Sequence, residues 1–234
     1  MADEQDKAAP NQDVAPELLQ EFNQAATLAF QNQTEEALSA WARLLDKAEQ
    51  SSSGEVPAAF VGEVRMRRAW VLIDLERYEE AAGALDAEVM EPYLDHFSDE
   101  VLFEYFFCFA NTLGSLGRIE AMDGQFRRAM YIAATQLGDL ERCQRCWLNM
   151  AMLTQQAGDW THLEKVSEAG RKFADESELP VMGFILGLHR VHALKNLERL
   201  DEAREAADHL IGQAQALDDE KAVARVRALR EELG

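Results

Sequence analysis

The sequence predicts an all-α protein built as a stacked array of helical repeats, and three observations predict it. One segment recurs: Leu75-Glu76-Arg77-Tyr78-Glu79-Glu80-Ala81 returns as Leu197-Glu198-Arg199-Leu200-Asp201-Glu202-Ala203. Looser copies sit at Gln31-Asn32-Gln33-Thr34-Glu35-Glu36-Ala37, Leu116-Gly117-Arg118-Ile119-Glu120-Ala121-Met122 and Ala157-Gly158-Asp159-Trp160-Thr161-His162-Leu163. The copies end at 37, 81, 122, 163 and 203, so their spacings are 44, 41, 41 and 40 by subtraction. A near-constant period in this range marks stacked units, none of which can bury its apolar face alone. Finally, no stretch alternates apolar and polar residues between hairpin turns, whereas apolar residues recur at helical spacing from about Pro16 onward.

The elements follow in order. Residues 1–13 are polar, contain Pro10 and carry no periodicity, so they read as a disordered leader to a single domain over 14–234. Helices are predicted near 16–31, 34–50, 57–75, 78–90, 98–116, 119–137, 139–157, 160–176, 180–197, 200–217 and 219–232. Gln50-Ser51-Ser52-Ser53-Gly54-Glu55 reads as a flexible link, because Ser and Gly resist helix, and it accounts for the longest spacing. Pro92 is expected to stop a helix, which leaves Glu91 to Ser98 as a second connection. Ser98 is then placed to cap the next helix, with Glu100 in its first turn. The last helix is unpaired and highly charged, as a capping helix must be, with one face on the array and one in water.

Composition narrows the function. With 47% hydrophobic residues the chain can bury a sizeable core. Its formal net charge of −20, from 43 acidic and 23 basic residues, argues against a nucleic-acid surface, which needs clustered Lys and Arg. It equally disfavours anionic lipid. A neutral or basic protein or peptide partner suits it better, through complementary charge; alternatively the acidity only keeps an elongated protein soluble. No apolar run is long enough to insert in a membrane and no secretory segment follows Met1. Three cysteines, Cys108, Cys143 and Cys146, do not make a disulfide framework, so the chain reads as a cytoplasmic protein.

Within each unit, apolar and small residues keep fixed offsets. One unit has Phe106, Phe109, Ala110 and Leu113, then Gly117, Ile119, Met122, Phe126 and Ala129; the next has Trp147, Met150, Ala151 and Thr154, then Gly158, Trp160 and Leu163. This pattern resembles the tetratricopeptide repeat (TPR) family over about Glu17 to Leu217, in a long-helix form. The period of about 40 exceeds the usual ~34, which lengthens the helices by roughly one turn. The resemblance implies a right-handed superhelical array of about five helix pairs plus the C-terminal capping helix. Arg65 and Arg68 depart from it, since the pattern expects apolar residues there.

The resemblance also implies that first helices line a concave groove and second helices the convex face. The groove would then present Glu63, Met66, Arg67 and Trp70 from one unit, and Glu104, Phe107, Cys108 and Asn111 from the next. Arg145, Leu148, Asn149 and Met152 would follow, then Ile185, Leu188, His189 and His192. The candidate partner-binding set is Arg67, Trp70, Glu104, Phe107, Asn111, Arg145, Asn149, Met152, His189 and His192. Asn both donates to and accepts from a peptide backbone, and aromatic and Arg side chains are the types enriched at binding hot spots. Phe106 and Phe109 share a helix face assigned to the core, which leaves Phe107 for the groove. The Lys and Asn of a carboxylate clamp are absent, Phe22 and Ala26 standing in the first unit and Glu104 and Cys108 in the third; Lys195 and Asn196 lie in one unit only.

Cys143-Gln144-Arg145-Cys146 has the spacing of a metal or redox pair, and His189 and His192 are similarly spaced. The repeat offsets set them about two turns apart, so no metal site and no cofactor are expected. No Gly-rich phosphate loop and no nucleophile beside a base are apparent, which points away from an enzyme. The leading expectation is a scaffold or adaptor holding a peptide or protein in its groove. The alternatives are a dedicated chaperone for a secreted or assembling subunit, and a ligand-sensing regulatory module.

Overall fold

The computed structural model describes residues 14–51, 56–216 and 218–234. The predicted leader, 1–13, and positions 52–55 of the predicted link lie outside the described residues. Twelve helices are present among those described, with no strand. They are α1 (Pro16–Phe30), α2 (Thr34–Gln50), α3 (Ala58–Asp74), α4 (Tyr78–Leu85), α5 (Ala87–Leu94) and α6 (Asp99–Ser115). Then come α7 (Ile119–Thr135), α8 (Leu140–Ala157), α9 (Trp160–Glu176), α10 (Pro180–Asn196), α11 (Leu200–Ala216) and α12 (Glu220–Glu231).

The recurring segment is the turn inside each helix pair. One residue per copy adopts positive φ: Asn32, Glu76, Gly117, Gly158 and Glu198. Their spacings are again 44, 41, 41 and 40 by subtraction. The residue after each one donates back to a carbonyl five positions earlier: Arg77 to Leu72 (2.8 Å), Arg118 to Leu113 (2.9 Å) and Arg199 to Leu194 (3.0 Å). This left-handed closure satisfies carbonyls that the ending helix would otherwise leave unpaired. The next helix then begins on a large residue: Tyr78, Ile119, Trp160 or Leu200. A second set of positive-φ residues, Gly138, Glu178 and Asp218, lies 40 apart and joins one pair to the next.

One predicted helix is two. The segment predicted as a single helix over 78–90 breaks at Asp86, whose backbone turns extended at φ −53°, ψ 144°. The Asp86 carboxylate accepts the Glu88 N–H at 3.0 Å and so caps α5. Pro92 does not end a helix as expected; it lies inside α5. In so short a helix the ring removes one late intrahelical bond, and α5 closes two residues on, at Leu94. Ser98 does cap α6 as expected, accepting from the Val101 N–H. Burial holds α5 in place: Met90 and Phe97 are buried against the rest of the core, and α5 packs on α3 and α4. Gly62 on α3 makes room for it, since a Cβ there would fall 2.6 Å from Phe97 Cζ and 2.7 Å from Tyr93 Cβ.

α5 also accounts for one departure from the repeat pattern. Arg65 lies with its guanidinium 5.7 Å over the Tyr93 ring of α5 and pairs with Glu49 of α2. Elsewhere small residues let helices close up: Ala69, Ala110 and Ala151 are fully buried. The Tyr105 hydroxyl donates to the Leu85 carbonyl (3.0 Å) and ties α6 to the end of α4. One core runs from Val14 to Ala193; a smaller one joins α10, α11 and α12 around Val191, Leu210 and Val226. The first helices α1, α3, α6, α8 and α10 each touch the next in that series, while second helices pack mainly on first helices. First helices therefore lie closer together than second helices, which curves the array toward them.

Candidate partner-binding groove

The inner face is a run of side chains from α3, α6, α8 and α10. On α3, Glu63 is buried and accepts from Arg67 Nη2 at 3.0 Å, one turn along the helix. Arg67 itself is exposed and Trp70 is half-buried. The Trp70 ring lies 6.2 Å from that of Phe107 on α6, and Arg145 of α8 places its guanidinium 4.6 Å over the same Phe107 ring. Trp70, Phe107 and Arg145 thus connect three successive units.

A polar run continues beside them. Asn149 Nδ2 donates to Asn111 Oδ1 (3.2 Å), and Asn111 Nδ2 donates to the Phe107 carbonyl (2.7 Å). Both amides are half-buried, and each keeps hydrogen-bonding capacity beyond these contacts. Met152, further along α8, is exposed. His189 Nδ1 donates to Gln155 Oε1 of α8 at 2.7 Å. His192 lies one turn along α10, and its carbonyl accepts from Asn196 Nδ2 (2.8 Å). Glu104 is half-buried on α6.

Phe107 corrects the expectation drawn from helix phase. It is 3% exposed, stacked on Phe103 (5.6 Å between centroids) and edge-on to Phe126 (5.8 Å). It forms the floor of the inner face and is not a free groove anchor. Phe106, expected in the core, is half-buried under the Arg128 guanidinium instead. Helix phase separates the two rings correctly, but α6 is flanked on several sides and buries most of its circumference. Cys108 and Cys146 also lie beneath this face, and burial raises both thiols well above their ordinary range. They are inert packing groups there.

Burial lowers the pKa of both histidines, more weakly aided by His192 at His189 and by Lys195 and Arg225 at His192. Three contributors were not anticipated. Gln155 lies one turn beyond Met152, and Phe103 one turn before Phe107; both follow from continuing the helix face. Arg225 belongs to α12, which begins 40 residues after α10 and so continues the repeat spacing.

The architecture matches solved repeat proteins. A putative kinesin light chain with nearly identical TPR-like repeats from Podosopora anserina aligns at TM-score 0.65 and 15% identity, over 86% of this chain and 96% of that one. The chain has the TPR-like fold. This TPR-like array is right-handed and superhelical. It is also similar to a Rap protein complexed with Competence and Sporulation Factor, at TM-score 0.53 and 14% identity, over 94% of this chain and 65% of that one. Bacillus thuringiensis PlcR, in complex with the peptide PapR7 and DNA, aligns at TM-score 0.50 and 14% identity over 93% of this chain and 74% of that one. No family model matches the sequence, and no curated protein matches it. Among the described residues no helix is long and apolar enough to cross a membrane.

Proposed function

We propose that this TPR-like array is a non-enzymatic scaffold that holds a peptide or protein segment along its inner face. The observation that carries the reading is the continuity of the face. Trp70, Phe107 and Arg145 link α3, α6 and α8; Asn111 and Asn149 bridge α6 and α8; Gln155 and His189 bridge α8 and α10. Apolar surface beside unsaturated amides suits an extended or helical segment, which offers side chains and backbone polar groups together. Arg67, Trp70, Glu104, Arg145, Met152 and His192 are the proposed direct contacts, with Phe107 supporting them from below. Two relatives in fold were solved with a factor or a peptide bound, which also favours a second reading, a ligand-sensing module.

Arg145 and Met152 are exposed, so Arg145→Glu with Met152→Glu tests the groove without opening the core. Affinity capture with mass spectrometry is compared between this variant and the parent chain, alongside their melting curves. The reading expects partners retained by the parent and lost by the variant at unchanged melting temperature. Equal retention would place the binding surface elsewhere.

A further inference from the structure

Charge is sorted between the two layers of the array. The inner helices α3, α6, α8 and α10 carry seven Arg or Lys and six Asp or Glu. The outer helices α2, α4, α7, α9 and α11 carry eight basic and sixteen acidic residues. The outer helices therefore carry a net charge of about −8 out of the chain's −20, whereas the inner helices are close to balanced.

That balance is uneven along the groove. Glu63, Asp74 and Glu104 lie on α3 and α6 against two cations, Arg67 and the Arg145 that reaches over Phe107 from α8, which leaves this end one charge to the acidic side; Arg67, Asp74 and Glu104 all act on the buried Cys108 between them. On α8 the register position shared by Glu63 and Glu104, 41 residues further on, is occupied by Arg145. At the α10–α12 end, Lys195 and Arg225 both lie close enough to His192 to act on it. Lys221 precedes Arg225 by one helical turn and shares its side of α12. Glu232, which pairs with Lys195 at 2.8 Å, is the acidic side chain facing this cluster.

We infer that the groove is electrically polar along its length and that its occupant is an extended peptide of segregated charge. Resting on the scaffold reading, this assigns the basic part of the occupant to α3 and α6, and its acidic part or free carboxylate to His192, Lys195 and Arg225. Inner helices packed about 10 Å apart give a path of roughly 30–40 Å from α3 to α12. An extended chain at about 3.3 Å per residue covers that path with roughly ten residues. Opposite charge at each end lowers the energy of one direction of binding and raises that of the other, because like charges brought together are repelled. An occupant of this kind is near neutral overall, so the acidic outer layer does not repel it.

The test is selection of random 12-residue displayed peptides on the immobilised full-length chain. Enriched sequences are then synthesised and titrated, together with copies whose acidic and basic residues are exchanged end for end. The inference expects enriched peptides with Asp or Glu grouped at one end and Lys or Arg at the other, and exchange weakening binding by about tenfold or more. Lys195→Glu with Arg225→Glu should weaken the selected peptides and strengthen the exchanged ones, a reversal that mere damage to the fold would not produce. Peptides that bind the inner face, being lost with Arg145→Glu and Met152→Glu, yet show no charge segregation or no response to Lys195→Glu with Arg225→Glu, overturn the polarity and leave the scaffold reading standing. Peptides indifferent to both variants, or no enrichment on a chain with its full helical spectrum, overturn both.

Discussion

The guanidinium of Arg145 lies 4.6 Å over the ring of Phe107, joining α8 to α6 across a unit boundary. Phe107 is almost wholly enclosed and Arg145 is open to solvent, so the same contact has one structural and one available partner. Phe107→Ala should cost about 3–5 kcal/mol, because it empties a ring-sized space among Phe103, Phe126 and Trp70. Arg145→Ala should cost only about 0.5–1 kcal/mol, the range of an exposed cation–π contact. Urea unfolding of the two variants separates them; equal losses would contradict the enclosure of Phe107.

Gly62 tests the docking of α5. A methyl group there meets the Phe97 ring and Tyr93 Cβ well inside contact distance, and Tyr93 Cβ cannot move without the backbone of α5. Gly62→Ala should destabilise by about 1–3 kcal/mol and accelerate amide exchange in α5. Gly124 in α7 is the control: a Cβ meets nothing within 4 Å, so Gly124→Ala should stabilise by about 0.5–1 kcal/mol.

The turns offer a gain in stability. Glu76 and Glu198 hold φ of 57° and 60° where Gly117 and Gly158 hold 70° and 73° in equivalent turns. A side chain in this region costs on the order of 1 kcal/mol, which glycine avoids at some entropic cost. Glu76→Gly and Glu198→Gly should each raise stability by about 0.5 kcal/mol, and Gly117→Ala should lower it by about 1 kcal/mol. Thermal melting of all three variants checks the sign at each turn.

Acid should weaken the α8–α10 junction before it reaches the carboxylates. Burial holds the folded pKa of His189 and His192 below the ordinary value of 6.5. As pH falls through 6.5 the unfolded chain takes up these protons first, so their contribution is complete above 6.5 and is lost toward the folded values. The lowered carboxylates Glu80, Glu202 and Glu232 lose theirs only below about 4.5. Urea midpoints at pH 7.5 and 5.5 should therefore differ less for His189→Gln with His192→Gln than for the parent chain.

The helical repeat, its period and its turns were legible in the residues themselves. A stacked array uses contacts near in sequence, so each unit writes the same small and large residues at the same offsets. The turn copies even mark the left-handed backbone positions, since Asn32, Gly117 and Gly158 fall on them. Ala110 and Ala151 follow from the same offsets. The break at Asp86 did not follow, because a capping carboxylate and an apolar run are locally compatible with one long helix or two. The space opened at Gly62, a contact between distant parts of the chain, is what lets Tyr93 of α5 and the following Phe97 fold back onto α3.

The groove divides the same way. The sequence by itself determined which helix faces carry Trp70, Asn111, Asn149 and His189, because helix phase follows from 3.6 residues per turn. Tertiary structure alone decided that Phe107 lies beneath that face. Phase tells in which direction a side chain points, whereas burial depends on how many neighbouring helices converge there. α6 is packed by α3, α4, α7 and α8, so a residue pointing inward from it meets a wall of rings. Sequence likewise determined the total charge, and the stacking of one helix layer inside the other decided where that charge lies.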